Sequence, residues 1–135
     1  MPEIKWKSFA KASHDREYLA LISYLPLKSL WKLPKFLLFT RANQTQLKES
    51  RGLIGYSFLA HLLQGRFWTL SIWEDEGALM EFLRSGVHEE TMTGLREHLG
   101  ETEFVKWNIL GSAVPPTWEE SLKRLGQLHY EFLKM

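Results

Sequence analysis

The chain has no cysteine, almost no imbalance of charge and no apolar run long enough to cross a membrane. Each absence removes a class of function. Without cysteine there is no disulfide framework, no thiolate nucleophile and no Cys-ligated zinc. Seventeen Lys and Arg against sixteen Asp and Glu leave a formal charge of +1. That field is too weak to steer a polyanion, so nucleic acid is not an expected partner. The longest nearly apolar stretch, GLIGYSFLAHLLQG, is interrupted by Ser57 and His61 and falls short of a membrane span. The opening MPEIKWKSFA is charged and broken, unlike a secretory segment. These features lead to the expectation of a cytoplasmic protein with no membrane partner. His14, His98 and His129 lack metal-ligand spacing, and no glycine-rich phosphate loop or nucleophile elbow occurs, so no metal is expected.

What is present is apolar surface. The apolar share is 44% over 135 residues, enough to bury one core and too short a chain for two ordinary enzyme domains. Three parts are expected: an N-terminal extension over 1–16, an alpha-beta domain over 17–111, and a linker with a terminal helix over 112–135.

Residues 18–27, YLALISYLPL, read as a first strand that Pro26 ends or marks as an edge. The helix of PKFLLFTRANQTQLKES follows, with Pro34 in its first turn. Its stripe is Phe36, Thr40, Asn43 and Leu47, flanked by Leu37 and Phe39, so two polar residues sit where a plain core stripe would be oily. LIGYSFLAHLL and RFWTLSIW then read as a hairpin around Gln64-Gly65. With those two residues as the loop, Leu63 faces Arg66, His61 faces Trp68, Leu59 faces Leu70 and Ser57 faces Ile72. The other side carries Ile54, Tyr56, Phe58, Ala60 and Leu62 with Phe67, Thr69, Ser71 and Trp73. Both sides are apolar.

Asp75 and Glu76 suit the N-terminal end of the next helix, where Leu79, Phe82 and Leu83 share a face. Ser85-Gly86 interrupts it, VHEETMTGLREHL resumes, and Gly100 stops it. Residues 103–110, EFVKWNIL, make a further strand, and Thr117 with Glu120 forms a capping box for the last helix, whose apolar side is Trp118, Leu122, Leu125, Leu128, Phe132 and Leu133. The order strand, helix, strand, strand, helix, strand is ferredoxin-like α+β: a four-stranded antiparallel sheet with both helices on one face, plus a C-terminal helix. The bare face calls for a second sheet, most simply from an identical subunit, so a homodimer is expected, with Leu59, His61, Trp68 and Leu70 at the interface.

The segment TLSIWEDEGALMEFLRSGVHEETM has a strand ending in Ser-x-Trp, an acidic turn, an Ala-Leu-x-x-Phe helix, and a His after a small-residue break. It resembles the dimeric alpha-beta barrel superfamily that includes antibiotic-biosynthesis monooxygenase-like proteins. The nearer likeness is to uncharacterised bacterial members with an NLSVW-like strand and a Pro-Thr-x-Glu-Glu tail, here PPTWEESLKRLGQLH; it covers residues 17–130. The resemblance implies oxidation of polycyclic phenols without metal or flavin, or alternatively haem binding or degradation. The Asn, Trp and His set of haem-degrading relatives has no clear place here.

His88 is the candidate catalytic base, since its reference pKa lies near neutrality, set against the commoner role of such a residue as a helix-end polar group or interface hydrogen bond. The candidate substrate-binding set is Phe36, Thr40, Asn43, Thr69, Ser71, Trp73, Phe82, Thr91 and Met92. Trp73 reads first as a core or interface residue and second as an aromatic wall for a flat ligand. Two functional readings follow: a cofactor-independent monooxygenase-like enzyme acting on a small aromatic or polyketide-like substrate, and a non-catalytic dimeric binding or structural protein. A cavity touching Trp73 and His88 favours the first, and complete filling by side chains favours the second.

Overall fold

A computed structural model gives the structure over residues 3–126, with the side chains of residues 3, 4, 86, 87 and 91 outside the described set. Runs of alternating or continuous apolar residues form β1 (Glu3–Ser8), β2 (Glu17–Pro26), β3 (Leu53–His61), β4 (Arg66–Trp73) and β5 (Glu103–Leu110). The helices are α1 (Leu33–Lys48), α2 (Glu76–Arg84), α3 (Gly86–Arg96) and α4 (Trp118–Leu125). One antiparallel sheet runs β1-β3-β4-β2-β5. The four strands β3-β4-β2-β5 have the ferredoxin-like order anticipated from the sequence, and β1 is added at the β3 edge. The extension over residues 1–16 therefore contributes a strand. EIKWKS alternates over only two apolar residues, Ile4 and Trp6, too short a signal to be read as a strand alone, and pairing with β3 supplies what the pattern lacks.

The hairpin register differs from expectation by two residues. Leu59 pairs with Trp68 and His61 with Arg66, because the loop is four residues, not two. Leu62–Gln64 make one tight helical turn, and Gly65 closes it at φ 63°, donating its N–H to the Leu62 carbonyl at 3.1 Å. A slip of two keeps every side chain on its expected face, whereas a slip of one would have exchanged the faces. One residue does change sides. A bulge between Leu53 and Gly55 puts Leu53 opposite Trp73 on the α1 side and Ile54 against Ile72 on the other.

On the first face lie α1, α2 and α3. Phe36, Leu47, Leu79 and Phe82 pack down onto Phe67, Tyr56, Phe58 and Trp73. Helix α1 starts with Pro34 in its first turn, and α2 and α3 start where short polar side chains cap them. Asp75 Oδ1 accepts from the Ala78 N–H at 2.8 Å, and Ser85 Oγ accepts from the His88 N–H at 3.3 Å, so Ser85 ends α2 and begins α3.

The expectation that the chain leaves its other face bare is corrected. Helix α4 lies across it, with Leu122 buried against Ile22, Tyr24, Leu59, Trp68 and Leu70 while Trp118 and Leu125 flank them. Thr117 Oγ1 accepts from the Glu120 N–H at 3.0 Å, the forward half of the anticipated capping box, but the Glu120 carboxylate turns to Arg124 Nε at 3.1 Å. Trp6, Ala12 and Val114 pack against the rest of that face at Ile54, Ile72 and Ile109. Within one chain, Trp68 and Ile72 are 0% and Leu70 1% exposed. The terminal helix was expected to pack either on its own domain or on a partner, and here it packs on its own sheet. Leu128, Phe132 and Leu133 lie outside the described residues.

Candidate functional site

Short side chains in the middle of two strands make the floor of a void. Toward α1, β4 presents Phe67, Thr69, Ser71 and Trp73, and β2 presents Leu21, Ser23 and Leu25. Thr69 is paired with Ser23, and Ser71 with Leu21. Bulky residues close the ends of the row, while Thr69, Ser71 and Ser23 leave the centre unfilled beneath α1 and α3. Two adjacent chambers with shared walls result. The inner one, about 420 Å³, lies between Leu47, Leu79, Phe82, His88 and the strand floor, with Phe104 and Lys106 of β5 beside it. The outer one, about 370 Å³, lies between Phe36, Phe39, Leu62, Leu95 and the hairpin end of the sheet. Asn43, Thr69, Met92, Phe58 and Leu25 line both. Volumes of this size suit small organic molecules, and a mostly apolar wall with a few convergent polar groups is the usual form of such sites.

His88 is held from three directions. Its Nδ1 lies 3.3 Å from Asn43 Oδ1, its ring packs on Phe82 with centroids 4.6 Å apart, and its backbone N–H is the one that caps on Ser85. Gln46 of α1 fixes Ser85 in turn, donating from Nε2 to Ser85 Oγ and to the Phe82 carbonyl at 3.4 Å. With Asn43 Oδ1 as acceptor, the imidazole proton sits on Nδ1 and Nε2 keeps a lone pair. Burial pushes the His88 pKa below 6.5, because desolvation disfavours the imidazolium. The neutral, proton-accepting form is therefore the stable one near pH 7.

Among the residues expected at a site, the structure brings together Phe36, Thr40, Asn43, Thr69, Ser71, Phe82, His88 and Met92 as walls of the two chambers. Thr40 contributes less polarity than its position suggests, since its hydroxyl donates to the Phe36 carbonyl at 3.0 Å. Trp73 lines neither chamber. It is 0% exposed, packs on Phe82 at 5.1 Å and donates from Nε1 to Ser71 Oγ at 2.9 Å, so its place is in the core. The Thr91 side chain is outside the described residues. Leu59, Trp68 and Leu70, expected against a partner, lie under α4, and His61 meets the Trp68 ring edge-on at 5.5 Å. Ser23, Tyr56 and Lys106 are wall residues that sequence reasoning passed over. Tyr56 was on the correct face of the pattern, and a lone Ser inside the apolar strand ALISYL was the available signal for a floor position.

A family model described as a domain of unknown function, DUF3291, matches residues 41–131. The chain belongs to the DUF3291 family. No curated protein matches it. Among solved structures, this DUF3291 protein is similar to a conserved protein from Methanosarcina mazei Go1, at 23% identity and a TM-score of 0.61 over 67% of this chain and 90% of that one. It is also similar to SnoaB, a cofactor-independent oxygenase from Streptomyces nogalater, at 13% identity and a TM-score of 0.58 over 68% and 92% of the two chains. A third, an antibiotic biosynthesis monooxygenase, gives 15% identity and a TM-score of 0.62 over 68% and 98%. The fold is thus that of the antibiotic-biosynthesis-monooxygenase-like proteins, as the sequence resemblance implied.

Proposed function

We propose that this DUF3291 protein is an oxygenase-like enzyme that oxidises a small aromatic or polyketide-like phenol without a tightly held cofactor. The observation that carries the reading is the neutral His88, oriented by Asn43 at 3.3 Å, in the wall of an apolar chamber of about 420 Å³. In such a chamber a bound phenol gives its proton to His88 Nε2, and the resulting electron-rich phenolate is the reductant for dioxygen. One oxygen atom enters the ring as a carbonyl, the other leaves as water, and the substrate supplies the electrons. Ser71 Oγ accepts from Trp73, so its own hydroxyl hydrogen is free to steady an oxygen substituent. The likeness to a cofactor-independent oxygenase supports this reading.

The test is oxygen consumption over a panel of one- to three-ring phenols. Wild-type protein is expected to turn over at least one of them. His88→Ala is expected to lose about 100-fold or more in kcat, the scale of a removed general base, while remaining folded at the assay temperature. Unchanged turnover in that variant rejects His88 as the base. A non-catalytic small-molecule carrier is the second reading, favoured by the withdrawal of Trp73 into the core. Saturable binding across the panel with no oxygen uptake would select it.

A further inference from the structure

Tyr56 of β3 is 0% exposed, yet its hydroxyl has no hydrogen-bond partner among the described residues. A buried hydroxyl without a partner carries its full desolvation penalty, and native proteins rarely keep one without a use. It has no easy escape. The ring is stacked on Phe9 with centroids 5.6 Å apart and an interplanar angle of 18°, and is tilted against Phe58 at 5.1 Å. Those contacts fix the ring plane and keep the hydroxyl from swinging out to water. The residue is part of the inner chamber's wall, directly across the strand pair from Ser71. Burial also raises its pKa above the ordinary tyrosine value, so near neutral pH the oxygen keeps its proton and is a donor.

We infer that the Tyr56 hydroxyl donates a hydrogen bond to an acceptor oxygen of the molecule held in the inner chamber, and so selects flat apolar ligands that bear a carbonyl or phenolate oxygen. The inference rests on the chamber being a ligand site, as proposed above. It divides the polar work of the chamber between two elements. His88 on α3 takes a proton, whereas Tyr56 on β3 gives a hydrogen bond. A hydrocarbon of the same outline fills the space and satisfies neither. An acceptor-only ligand engages Tyr56 and gives His88 no proton to take, which separates the two residues experimentally.

Fluorenone and fluorene make that separation, being three-ring molecules of nearly one shape that differ by a single carbonyl oxygen. Their binding to the full chain is read by tryptophan fluorescence or calorimetry, in wild type and in Tyr56→Phe, which removes the oxygen and keeps the ring. Fluorenone is expected to bind about fivefold to tenfold more weakly to the variant, the loss of one neutral hydrogen bond, with fluorene unchanged. The ligand-free variant is expected to melt about 4 °C higher, because a partnerless buried hydroxyl is gone. Equal fluorenone affinity in the two proteins would overturn the assignment while leaving the chamber as a ligand site. A lower melting temperature with unchanged fluorenone affinity would also overturn it, by giving the hydroxyl a structural role. Failure of both molecules to bind wild type would overturn the chamber reading and this inference together.

Discussion

At the scale of single residues, His88 couples the site to stability. Its folded pKa lies below the unfolded value of 6.5, so the unfolded chain holds the proton more tightly. The sign follows: stability is intact above the unfolded value and declines as pH falls through it toward the folded one. Wild-type protein should therefore lose more of its urea-unfolding free energy between about pH 7 and pH 5 than His88→Gln does. A parallel pH dependence in the two proteins would mean that other groups dominate acid sensitivity. Turnover should show the matching limb, flat near neutrality and falling below the folded pKa as Nε2 is protonated. Residue identity alone made His88, Asn43, Thr69 and Ser71 candidates, and the structure brings all four to the chamber walls. Trp73 took the core place that was its first reading, not the wall place that put it in the substrate-binding set, and the reason is physical. Tryptophan is favoured both for stacking on flat ligands and for filling space, and a neighbouring Ser71 that accepts its indole N–H lets it take the second role without an unmatched donor.

At the scale of elements, the most legible features were those with a local cause. The strand over 103–110 was readable from its apolar alternation and was found with those limits. The Phe36, Thr40, Asn43 and Leu47 stripe of α1 was readable from helical spacing, and all four residues wall the chambers or the core they border. The break at Ser85 and the cap at Thr117 were readable from side-chain chemistry. Features set by distant partners were not. The bulge at Leu53/Gly55 and strand β1 depend on pairing across the sheet. The landing place of helix α4 was legible only as a choice between its own domain and a partner, because a capping box says where a helix begins and nothing of where it lands. The cap itself is testable. Thr117→Ala should cost about 1 kcal/mol of unfolding free energy, measured by chemical denaturation, and Thr117→Ser should restore most of it. A cost near zero would place the start of α4 elsewhere.

At the scale of the whole molecule, the sheet is sandwiched between three helices and a fourth. Leu122 is 2% exposed and meets Trp68 and Leu70, so Leu122→Ala should destabilise the protein by about 2–5 kcal/mol. A chain ending at Pro116 should uncover the same aromatic face, bind a hydrophobic dye strongly and sediment as oligomers or aggregates at concentrations where the full chain does not. A truncated chain that stayed dispersed and dye-free would show that something other than α4 keeps that surface dry. The expectation of a homodimer began from that surface being bare, and a subunit docking there would first have to displace α4. Because the cover is tethered to what it covers, dilution leaves its local concentration unchanged. The melting temperature of the full chain should then be the same across a hundredfold range of protein, where a shelter borrowed from a second molecule would fade with every step down.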